Sequence, residues 1–319
     1  MKRALILGVS GQDGQFLADY LLKCGYIVLG ASRNHPFWEV NNLQLQRPKF
    51  HQLDVTNIDE LRETISSFKP DEIFNLSGES SVARSFSEPK RTLKTNTIGL
   101  INILDVIVEL NMHSDVKVFQ ASSSEMFGSS EFMLNENSPL LPTSPYGMSK
   151  SLSHRICSEY RDEFGIWIAT GILFNHESQI HDARFVFQKI IRSLVEIRLG
   201  SKQFIELGNV DIARDWGYAK EYVVAMHSTL QTSKPGDYVL ATGVVHSLTE
   251  LISSTSEFLG LNQSIQSLMK SDASLIRPTD IKCSWGDPSR AERELGWRAT
   301  TNFQQLIEIV TKFHLSAHS

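Results

Sequence analysis

Residues 3–21 read RALILGVSGQDGQFLADYL, and this stretch decides the fold. Four apolar residues, Ala4 to Leu7, lead into a turn that carries Gly8, Gly11 and Gly14, after which apolar residues recur at helical spacing. A strand, a glycine turn and a helix in this order predict the start of a parallel α/β sheet. Such glycines let the backbone approach a pyrophosphate at the N-terminus of the helix. A dinucleotide site is therefore predicted here, with an ordinary glycine turn as the alternative.

The same alternation continues through the first half of the chain. Further strands are predicted at 26–29, 72–76 and 116–121, and helices at 58–68 and 100–110. This order predicts a Rossmann-type, doubly wound parallel sheet over residues 1–173. After residue 173 the pattern loosens, with helices at 185–199, 219–230 and 303–313 and a strand at 204–207. We interpret residues 174–319 as a smaller, mostly substrate-binding lobe, with an approximate boundary and segments free to return to the sheet.

Composition excludes several classes of protein. Of 319 residues, 41% are hydrophobic, which is enough for a sizeable core and argues against disorder. The formal net charge of −5 is spread without long runs of one sign, so neither nucleic acid nor a membrane surface is an expected partner. The chain has no long apolar run and no signal-peptide pattern at its start, so we expect a cytoplasmic protein. Its three scattered cysteines predict neither disulfides nor a metal site, and each is expected to be buried.

The end of the second predicted strand bears on the choice of cofactor. Enzymes that use NAD usually carry an acidic residue here, which binds the ribose 2′-hydroxyl. This chain has Ser32 and Arg33 instead, and both could bind a 2′-phosphate. NADP is therefore favoured, with NAD as the alternative cofactor. The alternative to a binding role for Arg33 is that it is simply a solvated cation in a loop. Asp54 could accept a hydrogen bond from the adenine amino group.

A second pattern lies near the middle of the chain. Tyr146 and Lys150 are four residues apart, so they share one face of a helix. A cationic lysine and an oxidised nicotinamide both favour the phenolate, so Tyr146 could act as a base towards a sugar hydroxyl. The pair alone is common by chance. It becomes specific together with the glycine turn and with Ser123 at a strand end.

These residues resemble the extended short-chain dehydrogenase/reductase family, over nearly the whole chain. Within it, the sequence is most similar to the GDP-mannose 4,6-dehydratases. The segments that carry the resemblance are GQDG (11–14), QASSSEMFG (120–128), SPYG (144–147), GILFNHES (171–178), LGNVD (207–211), RDWG (214–217), ATGV (241–244) and GDPS (286–289).

The resemblance implies a role for each matching residue. Ser123 stands in place of a catalytic threonine, Glu125 matches the acid/base for C5 and C6 of the sugar, and Tyr146 and Lys150 match the redox pair. The implied cofactor-binding residues are Gly8, Gly11, Gln12, Asp13, Gly14, Ser32, Arg33, Asp54, Val55 and Leu76, together with Tyr146 and Lys150. The implied substrate-binding residues are Asn175, Lys189, Arg214 and Arg277, and Asn75 and Asn96 match structural and cofactor-side positions.

Simpler explanations stay open for several of these residues. Glu125 could be an exposed acid at a strand end, and related 4-keto-sugar reductases also carry a glutamate there. Arg277 could be a surface cation. Asn175 and His176 could serve only the backbone of their loop.

Three departures from the family pattern affect the surroundings of the substrate and the subunit interface. The Asn-His-Glu-Ser segment continues as Gln179 to Asp182, without two expected arginines. The arginine-rich loop that supports a tetramer in the family is reduced to Asn34 to Trp38. Glu79 stands where an uncharged residue is usual. The resemblance implies a homodimer formed by the helix near 99–110 and the helix that carries Tyr146, and the short loop makes a tetramer less expected.

The sequence thus predicts a nucleotide-diphosphate-sugar 4,6-dehydratase that uses bound NADP. The expected substrate is GDP-mannose or a related GDP-sugar such as a heptose, and the product is the 4-keto-6-deoxy sugar. A 4-reductase, 4-dehydrogenase or 4-epimerase is the alternative enzyme. A non-catalytic NADP-binding regulator is a third hypothesis, against which the complete set of Ser123, Tyr146 and Lys150 argues.

Overall fold

Seven parallel strands form the main sheet of the computed structural model, which describes residues 1–35 and 43–317. In chain order the strands are β1 (Arg3–Leu7), β2 (Ile27–Ser32), β3 (Lys49–Gln52), β4 (Glu72–Asn75), β5 (Lys117–Ser123), β6 (Trp167–Leu173), β7 (Asn175–Glu177), β8 (Ile205–Leu207), β9 (Ala213–Tyr218), β10 (Asp237–Leu240), β11 (Val245–Ser247), β12 (Met269–Ser271) and β13 (Cys283–Ser284). The α-helices are α1 (Gln12–Lys23), α2 (Ile58–Phe68), α3 (Val82–Ser87), α4 (Pro89–Leu93), α5 (Gly99–Glu109), α6 (Pro145–Phe164), α7 (Val186–Arg198), α8 (Ala219–Thr229), α9 (Leu248–Phe258), α10 (Ile265–Leu268), α11 (Ser289–Leu295) and α12 (Phe303–Ser316). A π-helical segment spans Lys94–Ile98, and 3₁₀ turns span Ser124–Met126 and Ala273–Leu275.

The strand order of the main sheet is β3-β2-β1-β4-β5-β6-β10 within the described residues, and each neighbouring pair is parallel. This is the Rossmann order with one more strand beyond β6. The chain runs outward from β1 to β3 and then returns to β4, so the order reverses between β1 and β4. Ligands of such sheets bind beyond the carboxyl ends of the strands, at this point of reversal. The predicted fold class is confirmed.

Local sequence explains the first elements. The segment Ala4–Leu7 is completely buried, as a central parallel strand covered on both faces must be. Helix α2 begins where the side chain of Asn57 accepts a hydrogen bond from the backbone N–H of Glu60. Helix α6 begins in the same way at Ser144, and a proline occupies its first position.

Helices cover both faces of the main sheet. On one face, α1 and α8 meet through Phe16 and Val223, which are buried in one apolar cluster. On the other face, α2 and α5 bury Leu61 and Ile103, and Cys157 of α6 joins the same cluster. Burial of these apolar faces is the main source of stability for the sheet.

A second layer of structure follows β6. Helices α7, α9 and α12 enclose an apolar cluster that includes Phe187, Trp216 and Leu306. Among the described residues, this half of the chain forms two small sheets: β11, β9 and β13 with β7 beside β9, and β12 with β8. Strand β10 nevertheless pairs with β6 in the main sheet, and α8 covers that sheet. The division at residue 173 stays a prediction, but β10 and α8 belong to the main sheet and its covering helices.

Some expectations differ from the structure in detail. Only Cys157 is buried, whereas Cys24 is exposed and Cys283 is half-buried, so the prediction that every cysteine is buried was wrong. Cys24 lies beyond the last residue of α1, and Cys283 lies in a two-residue strand, where little covers the side chain. The part of the loop from Pro36 to Trp38 lies outside the described residues. Among the described helices, none combines the length and the apolar character needed to cross a membrane.

Candidate active site

A cleft of about 840 Å³ opens at the carboxyl edge of the main sheet. It brings together almost all of the residues that the sequence singled out. Those that line it are Gly8, Gly11, Gln12, Asp13, Gly14, Ser32, Arg33, Asp54, Val55, Leu76, Ser123, Glu125, Tyr146, Lys150, Asn175, Arg214 and Arg277.

The glycine turn forms one wall of the cleft. Gly8 has a φ of +90°, which favours glycine over any residue with a side chain. At Gly14, a Cβ atom would lie 2.5 Å from the carbonyl oxygen of Gly8, so glycine is needed for the helix to pack on the turn. At Gly11, the nearest protein atom to a Cβ would be 3.4 Å away. Gly11 is therefore not required by packing within the protein, and its backbone is open to a ligand in the cleft.

Gln12 and Asp13 tie this turn to the segment after β6. The amide of Gln12 donates to the carbonyl of His176 over 3.2 Å and accepts from the hydroxyl of Ser178 over 2.6 Å. The carboxylate of Asp13 lies 2.9 Å from Nε2 of His176, and Nδ1 of His176 lies 2.7 Å from the carbonyl of Phe174. Both partners of His176 are acceptors, so both ring nitrogens donate and the ring is cationic.

The pKa values agree with this arrangement. Burial lowers the pKa of His176, but the charge and hydrogen bond of Asp13 outweigh burial and raise it to about 8. Burial raises the pKa of Asp13, and the effects of His176 outweigh it, so that the pKa falls below its usual value. His176 also stacks on Tyr222, with ring centroids 4.7 Å apart. These contacts give His176 the structural role that the sequence analysis left open.

The end of β2 meets the loop after β4 at the same edge. The hydroxyl of Ser32 donates to the carbonyl of Asn34 over 2.6 Å, which leaves its oxygen able to accept. The guanidinium of Arg33 lies 2.9 Å from the carboxylate of Glu79. Asp54 accepts from the backbone N–H of Thr56 over 2.9 Å.

Helix α6 carries the tyrosine and the lysine into the cleft. Nζ of Lys150 donates to the carbonyl of Ala121 on β5 over 2.8 Å, which fixes the ammonium below the ring of Tyr146. Burial raises the pKa of Tyr146 to about 12, although a hydrogen bond with Ser123 lowers it. Burial lowers the pKa of Lys150 to about 8. The protein groups alone therefore keep Tyr146 as the neutral phenol, and the phenolate expected from the sequence needs further positive charge.

Ser123 and Glu125 lie where β5 ends in a 3₁₀ turn. The hydroxyl of Ser123 accepts from the backbone N–H of Glu125 over 3.3 Å. Burial raises the pKa of Glu125, and the charges of Arg214 and Arg277 offset this only in part. A raised pKa makes the carboxylate a stronger base than an ordinary glutamate, which suits a group that must take up and return a proton. Glu125 is not the exposed acid that the simpler explanation required.

The far side of the cleft is cationic. Arg214 is buried on β9, and Arg277 lies 3.7 Å from Asp280. Lys189 is not among the residues that line the cleft; Glu206 and Asp272 are the acidic groups near it.

Sequence reasoning missed two other arginines. Arg184 and Arg192 line the cleft, and Nε of Arg192 is buried without a hydrogen-bond partner in the described part of the chain. Arg192 follows Lys189 by three residues on α7, and this helical spacing was the signal that could have found it.

The residues present fit a nicotinamide dinucleotide. A glycine turn at the N-terminus of α1 faces the cleft, Arg33 marks one end of it, and Tyr146 and Lys150 mark the other. A bound nicotinamide would accept and return a hydride and, when oxidised, would supply positive charge near Tyr146. A sugar placed between Tyr146 and Glu125 would face one group suited to its hydroxyl and a second suited to acid–base work.

Comparison with known proteins agrees with this geometry. A family model described as GDP-mannose 4,6 dehydratase matches residues 5–310. GDP-mannose 4,6 dehydratase 2 of Arabidopsis thaliana is 38% identical, and the match covers 97% of this chain and 86% of the relative. GDP-mannose 4,6 dehydratase of Homo sapiens is 36% identical, over 95% of this chain and 89% of the relative.

Solved structures share the fold over nearly the whole chain. UDP-glucose 4-epimerase of Thermotoga maritima, in complex with UDP-glucose, gives a TM-score of 0.86 at 20% identity and covers 99% of this chain and 100% of the other. RMD of Pseudomonas aeruginosa with NADPH gives 0.82 at 20% identity, over 99% and 98% of the two chains. dTDP-glucose 4,6-dehydratase of Bacillus anthracis, in complex with NAD, gives a TM-score of 0.84 at 17% identity and covers 99% of this chain and 97% of the other. The chain therefore belongs to the GDP-mannose 4,6-dehydratase family, which comprises nucleotide-sugar 4,6-dehydratases of the short-chain dehydrogenase/reductase type.

Proposed function

We propose that this protein converts a GDP-hexose, with GDP-mannose favoured, into the 4-keto-6-deoxy sugar and uses NADP for the reaction. The observation that carries the proposal is the placement of Glu125. This glutamate is half-buried beside Tyr146, and the loss of water around its carboxyl group raises its pKa. Removal of the C6 hydroxyl needs an acid/base of this kind, and the mass of the product separates this reaction from that of the 4-keto-sugar reductases, which also carry a glutamate here.

The roles of the side chains follow from their positions. Tyr146 accepts the proton of the C4 hydroxyl, and Ser123 holds that oxygen through a hydrogen bond. The charge of Lys150, with that of an oxidised nicotinamide, would favour the phenolate form of Tyr146 that accepts this proton. Glu125 removes the C5 proton, which the new C4 ketone makes acidic, and protonates the departing C6 hydroxyl to give water. NADP, held by the glycine turn, Ser32 and Arg33, would supply the hydride acceptor for C4 and the hydride donor for C6 and would end unchanged. A proton equivalent to the one that Tyr146 took from the C4 hydroxyl goes to C5 when C6 is reduced.

The preference for NADP rests on charge at the end of β2. Ser32 and Arg33 face the cleft where an acidic residue would otherwise bind a ribose 2′-hydroxyl. Arg84 and Arg91 lie close by, because both contact Glu79, the partner of Arg33. A 2′-phosphate dianion suits this surplus of positive charge.

The diphosphate of the substrate is assigned to the cationic side of the cleft. Arg214 and Arg277 supply the charge, and the side chain of Asn175 can donate a hydrogen bond. Lys189 is kept as a prediction for the nucleotide end of the substrate.

We further infer a homodimer that pairs α5 and α6 of two subunits. Met148 and Leu152 are about half exposed and lie four residues apart on α6, so they share one face. Ile98 is also exposed, on the π-helical segment next to α6. Burial of such an apolar face would favour association.

Mass spectrometry of products tests the function directly. The purified protein is incubated with GDP-, dTDP-, CDP- and UDP-sugars, without added reductant. Loss of one water from a GDP-sugar is the expected result. A change of two hydrogens would instead indicate a 4-reductase or 4-dehydrogenase, and an isomer of unchanged mass would indicate a 4-epimerase.

A further inference from the structure

The loop after β4 holds a glutamate that the reaction does not use. Glu79 is 7% exposed, and its backbone is fixed by Asn96, which accepts from its N–H over 2.8 Å and donates to its carbonyl over 3.2 Å. Its carboxylate faces three guanidinium groups. Arg33 and Arg91 lie 2.9 Å away, and Arg84 lies 3.5 Å away.

The charge of Glu79 is permanent at neutral pH. Burial raises its pKa, but the three arginines outweigh burial and lower the pKa below the usual value. The carboxylate is thus a fixed anion in a cationic cluster, next to the side chain expected to bind the ribose 2′-phosphate.

Glu79 is not needed to keep Arg33 in place. The backbone of Arg33 directly follows β2, and its carbonyl accepts from the amide of Gln52 over 3.1 Å. Removal of the Glu79 carboxylate would therefore free the guanidinium of Arg33 without releasing its backbone from the sheet.

We propose that Glu79 is a specificity-determining residue that acts as an internal counter-anion of Arg33 and narrows the preference for NADP over NAD. This inference rests on the proposed function, in which Arg33 faces the ribose 2′ position. With NAD bound, no phosphate reaches Arg33, and Glu79 remains its ion-pair partner. With NADP bound, the 2′-phosphate must share Arg33 with a carboxylate of like charge, which weakens binding.

The test compares Glu79→Gln with a matched control, Glu88→Gln. Glu88 also contacts Arg91 and Arg84, at 3.1 Å and 3.8 Å, so its substitution removes the same charge from the same cluster without touching Arg33. Affinities for NADPH and NADH are measured by fluorescence titration of the full chain. Glu79→Gln should increase the affinity for NADPH about tenfold and change the affinity for NADH by no more than about twofold. Glu88→Gln should change neither affinity by more than about twofold. An unchanged or weaker affinity of Glu79→Gln for NADPH would overturn the proposal.

Two further variants keep the test decisive. Should Glu79→Gln fail to fold, Glu79→Asp withdraws the carboxylate from Arg33 but keeps the charge, and a smaller tightening of NADPH is expected. Arg33→Ala checks the assumption beneath the proposal. A loss of the NADPH preference in Arg33→Ala with no effect of Glu79→Gln would reject the counter-anion alone, while an Arg33→Ala variant with normal NADPH affinity would reject the assignment of Arg33 as well.

Discussion

At the scale of single residues, Tyr146 and Glu125 divide the reaction into two halves. Glu125→Gln keeps the size of the side chain and cannot act as a base. We expect this variant to oxidise C4 and then stop, so that reduced cofactor accumulates on the enzyme while dehydrated product forms at least about 100-fold more slowly. Absorbance of the reduced nicotinamide and product mass spectrometry measure the two events separately.

Tyr146→Phe is the matched control, because it removes the base for the first half. Neither reduced cofactor nor product should appear. Turnover of Glu125→Gln at the rate of the unmodified enzyme would show that Glu125 is not the acid/base.

His176 predicts a dependence of stability on pH. Its pKa is raised to about 8 in the folded protein, so the contribution is complete below about pH 6.5 and is lost as pH rises through 8. The shift corresponds to about 2 kcal/mol. Denaturant unfolding from pH 6 to pH 9 should show His176→Gln much less stable than the unmodified protein at pH 6 and closer to it at pH 9. A difference that does not vary with pH would contradict the cationic pair with Asp13.

Single residues also show the limit of reading a sequence. Tyr146 and Lys150 were predictable because one helix fixes their distance. The pairing of Arg33 with Glu79 was not, since 46 residues separate them and only the sheet brings them together. The neutral state of Tyr146 depends on burial, which no local pattern reports.

At the scale of elements, two glycines at the junction of β1 and α1 have different roles: Gly14 is needed for packing, and Gly11 is expected to serve cofactor binding. Gly14→Ala places a Cβ 2.5 Å from the carbonyl of Gly8, whereas Gly11→Ala meets the same oxygen at 3.4 Å. Alanine improves helix propensity at Gly14 by about 1 kcal/mol, but a clash with backbone costs more. We expect Gly14→Ala to lose about 2 kcal/mol of stability in denaturant unfolding.

Gly11→Ala should unfold like the unmodified protein and bind NADPH at least about tenfold more weakly, because its methyl group occupies the cleft. Equal stability of the two variants would show that the turn does not require glycine for packing.

Elements with strong local patterns were predicted closely. Helix α7 spans Val186–Arg198 where 185–199 was expected, and α8 spans Ala219–Thr229 where 219–230 was expected. The sequence predicted that some segment after residue 173 could return to the main sheet, but it did not identify β10 as that segment. Pairing between strands that are distant in sequence leaves no local pattern.

At the scale of the whole molecule, the exposed apolar face of α6 predicts the oligomeric state. We expect light scattering at micromolar concentration to report a dimer, and the double variant Met148→Glu with Leu152→Glu to report a monomer, because charges on that face oppose burial. Phe132→Glu is the control: Phe132 is 78% exposed and lies in the loop that precedes α6, not on the helix. A monomer in the unmodified protein would reject the dimer.

Strand β10 is synthesised more than 60 residues after its partner β6, and this order affects folding during synthesis. Strand β6 is complete at residue 173, but its outer edge stays unpaired until residues 237–240 leave the ribosome. Until then, the nascent protein presents a strand edge that can pair with another chain, which is a recognised route to aggregation. Truncation at residue 173 would make that transient edge permanent, so the cofactor-binding half is better expressed with the segment that completes its sheet.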